Sequence, residues 1–287
     1  MAERWTIALG GHTILNSEAL RHAAQAIVPL FGKEGGIVVH GNGPQVGELL
    51  LQNPKLPIDV AVAETQALIG YELVRLLDAE IGGQRAIAVV TRVVVEPDKA
   101  TSRKPVGPTF PRQKAKSLVR VRHWDMGLDP GRGYRRWVLS PQPTRVVEEE
   151  AICALVEDGW IVVAGGGGGI PVHDMEGVEA VVDKDWTATL LAIATRSQRL
   201  VFLTSIPCAY EDFRNGSARP LSFLTPKEAR QLLARRVFAE GSMAPKIEAA
   251  CLFVERTGGR VLITDSEHLE AALESHAGTR IEEPKAS

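Results

Sequence analysis

The chain has 287 residues, 45% of them hydrophobic and 24% charged, and its formal net charge is −2. Enough apolar area is present to offset the entropy of ordering, which excludes a disordered chain, and no stretch reaches the ~18 uninterrupted apolar residues of a membrane span. Cys153, Cys208 and Cys251 are widely spaced and form no CxxC pair, so neither a disulfide framework nor a zinc site is signalled and a reducing, cytoplasmic setting is expected.

The opening MAERWTIALGG has no secretory pattern, and Trp5–Leu9 reads as a first short buried strand. Ser17 is the expected N-cap of a helix running to about Phe31. A second strand follows at Gly36–His40. The stretch from about Val60 to Ile81 predicts a helix with Leu68, Leu73, Leu76 and Leu77 on one face, and Ala86–Val95 a third strand. Further along, strands at Trp160–Ala164, Leu200–Thr204 and Arg260–Thr264 alternate with helical spacing at 146–158, 184–196, 225–236 and 244–257. Such alternation predicts an α/β fold with a mostly parallel sheet and helices on both faces.

Residues 97–137 break the rhythm. Eleven Lys/Arg stand there against Asp98, Asp125 and Asp129, a net +8 that leaves −10 for the remainder. Five prolines and little helical periodicity suggest a small protruding subdomain or lid, because a structureless loop of that length is rare in a compact domain. A positive field of this size attracts phosphates or nucleic acid.

Three glycine clusters follow apolar strands: ALGGH at 8–12, HGNGPQVG at 40–47 and AGGGGGIPV at 164–172. Ligands of open α/β sheets sit outside the carboxyl ends of the strands, and bare turns let backbone amides approach an oxyanion. The 41–47 run is close to a dinucleotide fingerprint but lacks the acid ~20 residues on. The five-glycine run lacks the Gly-Lys-Ser/Thr ending of a P-loop. Phosphoryl transfer asks for cations at strand or turn ends. Lys184 lies between Asp183 and Asp185, and Lys246 falls in the first turn of a helix with Ser242 as its expected N-cap. Lys104 lies between prolines in SRKPVGP. His40 and His173 are expected to be structural.

These clusters, with Thr65-Gln66, TRVVV at 91–95, KPVGP at 104–108, GRGYRRWVLSPQP at 131–143, GVEAVVDKD at 177–185 and GSMAPKIEAA at 241–250, resemble carbamate kinases, in order and over essentially the whole chain. The resemblance implies the amino-acid-kinase fold, a three-layer αβα sandwich over residues 1–287, with residues 97–137 as the basic lid. The N-terminal half would bind the acceptor and the C-terminal half the nucleotide. It further implies reversible phosphoryl transfer between carbamoyl phosphate with ADP and carbamate with ATP, Mg2+ bridging phosphate oxygens, a homodimer, and a place in arginine catabolism.

By the same resemblance Lys184 and Lys246 neutralise the phosphoryl group, Asp185 orients them, and Lys104 reaches the acceptor. Gly10, Gly11, Gly41 and Gly43 hold anionic oxygens, with His12, Asn42, Gly167 and Gly168 beside them. Thr204, Ser205, Tyr210, Met243 and Pro245 receive the nucleotide, and no protein metal ligand is implied. Two positions depart from the pattern: His12 stands where the family carries asparagine, and Pro207 where an acidic residue is usual. His12 is expected to donate to the acceptor or the γ-phosphate. The rival readings are a kinase of this fold for another small carboxylate, a non-catalytic ligand sensor, and nucleic-acid binding through the +8 segment. The last is weakened by few aromatics for base stacking, and neither a nucleic-acid nor a membrane partner is expected.

Overall fold

Strands that are apolar nearly throughout need cover on both faces, and five of them form the middle of an eight-stranded sheet. The computed structural model describes residues 3–14, 16–100, 102–129, 133–211, 218–239 and 241–284, with Gly11 and His12 described in backbone alone. Across the sheet the strands run Phe223–Leu224, Thr279–Ile281, Arg260–Thr264, Arg199–Leu203, Trp5–Leu9, Gly36–His40, Ile161–Val163 and Ala86–Ala88. All neighbours are parallel except Arg260–Thr264 against Thr279–Ile281. Trp5–Leu9 pairs residue for residue with Gly36–His40 on one side and Arg199–Leu203 on the other. The three strands therefore end level, and the turns after Leu9, His40 and Leu203 open on one edge.

Helices Ser17–Ile27 and Ile58–Ile81 cover one face, setting Leu20, Ile27, Leu73 and Leu77 against Ile7, Leu9 and Val38. Helices Glu149–Glu157, Lys184–Ala194 and Met243–Thr257 cover the other, setting Ile152, Leu191, Ile247 and Phe253 against Ala8, Ile37, Val39 and Phe202. This is the expected three-layer α/β arrangement.

Some local expectations need correction. Ala86–Val95 is two strands: Ala86–Ala88 closes the main sheet beside Ile161–Val163, while Arg92–Val95 joins a four-stranded sheet between Ile170–His173 and Pro143–Val146. The chain turns at buried Thr91, whose N–H donates to Gln66 and whose carbonyl accepts from it. The first helix is capped by Asn16, which accepts the Ala19 N–H at 2.8 Å, so Ser17 is its first residue. It ends at Ile27, before a 3-10 turn at Val28–Leu30. Leu68 is 57% exposed; the buried stripe of its helix runs through Thr65, Gln66, Ile69, Leu73 and Leu76.

Residues 97–137 contain a helix, Arg112–Arg122, that periodicity did not signal, because only Ala115 and Leu118 anchor it among exposed basic residues. It accompanies a three-stranded antiparallel sheet of Arg103–Phe110, Gly133–Leu139 and Met126–Asp129. This small sheet is seated on helix Gly43–Gln52 by a backbone-to-backbone contact, since a Cβ added at Gly47 would lie 2.0 Å from the Gly107 Cα. Gly107 itself has φ +73°, a left-handed conformation that favours glycine. Gly47→Ala is expected to lower stability by roughly 1–3 kcal/mol, the usual range for overpacking. It should also speed amide exchange along Arg103–Phe110; exchange unchanged from wild type would contradict this seating.

Candidate active site

The glycine turns are bare because other groups fill the space a side chain would occupy. Gly167 has φ +67°, and a Cβ there would lie 2.2 Å from the Asn42 amide. Asn42 is buried and donates through Nδ2 to Thr65 Oγ1 at 2.8 Å. Its side chain therefore does not cap helix Gly43–Gln52, whose second residue is Pro44. Gln66 donates to the Gly166 carbonyl at 2.8 Å while holding Thr91, and the Gly165 N–H donates to Thr91 Oγ1. Thr65, Gln66 and Thr91 thus lock two glycine turns together. Sequence reading noted the Thr65-Gln66 pair but gave it no task.

Opposite these turns two helices begin. Asp183 is the N-cap of Lys184–Ala194, its Oδ1 accepting the Asp185 N–H at 3.0 Å. Ser242 precedes Met243–Thr257, but its side chain makes no capping bond. Asp185 Oδ1 accepts from Lys184 Nζ at 2.5 Å and Oδ2 from Lys246 Nζ at 2.6 Å. Burial pushes the Asp185 carboxyl up, but the charges and hydrogen bonds of Lys184 and Lys246 outweigh it and hold the group below the ordinary carboxylate range. Burial lowers the Lys246 ammonium while Asp185 opposes the shift. The same ammonium lies 4.7 Å from the centroid of the Phe202 ring, a second source of compensation for lost water. Two ammonium groups at positive helix ends share one carboxylate, so excess positive charge and free N–H donors remain for an anion.

Lys104 comes from the small sheet and forms an ion pair with Asp183 Oδ2. Lys104, Lys184, Asp185 and Lys246 line one cleft of about 280 Å3, together with Gly41, Asn42, Gly43, Gly167 and Thr204. Gly10 lies against the backbone of Leu203 and Thr204, where a Cβ would meet the Leu203 carbonyl at 2.6 Å. The Gly168 carbonyl accepts from Thr187 Oγ1 at 2.6 Å and supports the turn. Pro245 lines an adjoining groove that meets the cleft at Lys104 and Asp183. Ser205, Tyr210 and Met243 line neither, and Met243 packs in the apolar core. Gly11 and His12 are described in backbone alone, so the expected His12 contact lies outside the described residues. Among the described residues no group of three or more His, Cys, Asp or Glu is gathered to hold a metal ion.

The model of the amino acid kinase family matches residues 3–265. A carbamate kinase of Trichomonas vaginalis is 37% identical, over 97% of this chain and 99% of its own length. The chain belongs to the amino acid kinase family, on its carbamate kinase branch. Two solved structures of a Giardia lamblia carbamate kinase, one bound to citric acid and one to AMP-PNP, share this fold with TM-scores of 0.89 and 0.86. Each is 32% identical to this chain, and 99% of both chains is covered. The protein is accordingly a phosphotransferase, and the two ammonium groups that share Asp185 are the part of its cleft with positive charge to spare for an anion.

The turn that follows strand Gly36–His40 in this kinase is tied down by His40. The ring is 1% exposed, Nδ1 lies 2.7 Å from the Gly41 carbonyl, and a Cβ on Gly166 would meet Nε2 at 2.4 Å. Burial lowers its pKa from 6.5 to about 4, against the opposing effect of the Gly41 bond. The folded ring is therefore neutral and Nδ1–H donates to Gly41. Because the unfolded chain takes up the proton first, this contribution is complete above pH 6.5 and is lost as pH falls toward 4. Its full size is about 3 kcal/mol. Urea midpoints are expected to fall across that window and to fall less in His40→Gln; equal slopes in both proteins would contradict the assignment.

Proposed function

We propose that this protein transfers a phosphoryl group reversibly between ATP and carbamate, with carbamoyl phosphate and ADP as the other pair. The observation that carries the reading is Lys184 and Lys246 sharing Asp185 in a cleft bounded by the Gly41–Gly43 turn and Gly167. In the forward direction a carbamate oxygen forms a bond to the γ-phosphorus as the bond to the ADP oxygen breaks. Charge then spreads over the three equatorial oxygens of a loose transition state. Lys184 and Lys246 donate to those oxygens, and Lys104 donates on the acceptor side. The acceptor is already an anion, so no side chain has to remove a proton.

Gly10, Gly41, Asn42 and Gly43 come from the N-terminal half, which takes the acceptor in this reading. Asn42 turns to Thr65, which leaves the first N–H groups of helix Gly43–Gln52 uncapped for an oxyanion. Thr204, Ser205, Tyr210, Met243 and Pro245 come from the C-terminal half, which takes the nucleotide. Both Asp185 oxygens are engaged by lysines, so magnesium belongs with the substrate as MgATP or MgADP, neutralising phosphate charge. Residues 97–137 serve as a lid that carries Lys104.

A homodimer is supported by an apolar face: Leu68, Tyr71 and Val90 are 57%, 66% and 50% exposed, and Gly70 of the same helix abuts Ala88 of the sheet's edge strand. Cys153, Cys208 and Cys251 are free thiols, in keeping with a cytoplasmic setting. No described helix is long and apolar enough to cross a membrane.

Purified protein given MgADP and carbamoyl phosphate is expected to form ATP. Lys184→Ala should lose about 10²–10³ in kcat, the effect of removing one donor to a developing oxyanion. The other reading, a kinase for a different small carboxylate, draws on His12 in place of the expected asparagine. ATP formed from another acyl phosphate such as acetyl phosphate, and none from carbamoyl phosphate, would favour it and overturn the carbamate assignment.

A further inference from the structure

We infer that Asp183 is a positioning residue for Lys104, doing for the lysine of the small sheet what Asp185 does for Lys184 and Lys246; the inference rests on the phosphotransfer reading above. Asp183 is 9% exposed and uses its two oxygens differently. Oδ1 accepts the Asp185 N–H and caps the helix. Oδ2 pairs with Lys104, a residue 79 positions away that arrives from a separate sheet. A cap needs one oxygen, and asparagine caps as well as aspartate. The negative charge at this position is therefore not needed to start the helix.

What the charge adds is a fixed place for a long, flexible cation. The Gly47–Gly107 contact seats strand Arg103–Phe110, and the Arg136–Glu179 pair ties the central strand of the same sheet to the main body. Neither fixes the end of the Lys104 side chain. An ammonium has three donors, so one bond to Asp183 leaves two for an acceptor oxygen, the same division made at Asp185. Lys104 shares the cleft with residues of both halves, but its strand is seated on helix Gly43–Gln52 through Gly47–Gly107 and through Val106 against Val46 and Leu50, and on that seating the effect is assigned to the acceptor and not the nucleotide. Cleft charge also stays moderate, since Asp183 and Asp185 stand against Lys104, Lys184 and Lys246.

Asp183→Asn keeps the size of the side chain and the cap. It is expected to raise the KM for carbamoyl phosphate about tenfold, the lower end for losing a hydrogen bond to a charged group. The KM for MgADP should stay within about twofold and kcat should change less than the acceptor KM. In a Lys104→Ala background the same substitution should have little further effect, because Asp183 acts through Lys104. Effects that multiply in the double variant, or a KM change that falls on MgADP, would overturn the inference. An independent readout is the order of the Lys104 side chain, followed by NMR of its labelled ammonium group, which should be lost in Asp183→Asn while amide exchange leaves helix Lys184–Ala194 protected. If the wild type forms no ATP from carbamoyl phosphate, the carbamate reading fails on its own, and a Lys104 ammonium signal unchanged in Asp183→Asn would then sink the Asp183 assignment.

Discussion

Two lysine side chains cannot enter one water-poor cleft without a partner, and Asp185 is that partner. Each ammonium sits at the start of a helix, where the dipole already disfavours a cation. Lys246 is nearly fully buried, so its desolvation must be offset as well. Asp185 meets both demands with one carboxylate oxygen for each lysine. Breaking such a buried arrangement by removing one partner costs about 3–5 kcal/mol in other proteins, which sets the scale of what the carboxylate holds in place. The charge count is as important as the geometry: Lys104, Lys184 and Lys246 against Asp183 and Asp185 leave the cleft positive, which suits it to an anion.

The rest of the fold brings backbone to that charge. Level strand ends place the turns after Leu9, His40 and Leu203 on one edge of the sheet. The turn at Gly166–Gly168 joins them through Gln66, Thr91 and the close approach of Gly167 to Asn42. Neutral His40 holds the Gly41 carbonyl. The site is thus a half-ring of main chain facing a pair of lysines, with Lys104 brought by a sheet seated through the Gly47–Gly107 approach and the packing of Val106 and Val138 against Val46, Leu50 and Ile58.

Much of this could be read from residue order. Apolar runs marked the central strands because burial on both faces permits little else, and Asp183-Lys184-Asp185 pointed to chemistry because a lysine at a helix start needs an anion. What escaped reading depends on distant partners. Nothing near Ala86–Val95 says that Gln66 will turn the chain at Thr91 and divide the run between two sheets. The helix Arg112–Arg122 hides its period because two small anchors, Ala115 and Leu118, are outnumbered by cations. Leu68 matched the apolar spacing of its helix yet faces outward, since spacing cannot tell a buried face from an exposed one. Asp183 looked like one of two flanking acids; only the arrival of Lys104 from 79 residues away separates its role from that of Asp185.

The most direct test of the central claim is a crystal structure with MgADP and a planar aluminium fluoride group in place of the transferring phosphoryl. Both Lys184 Nζ and Lys246 Nζ are expected within about 3 Å of the fluorides while each keeps its bond to Asp185. A fluoride group bound away from this pair, or one lysine turned out of the cleft, would contradict the account.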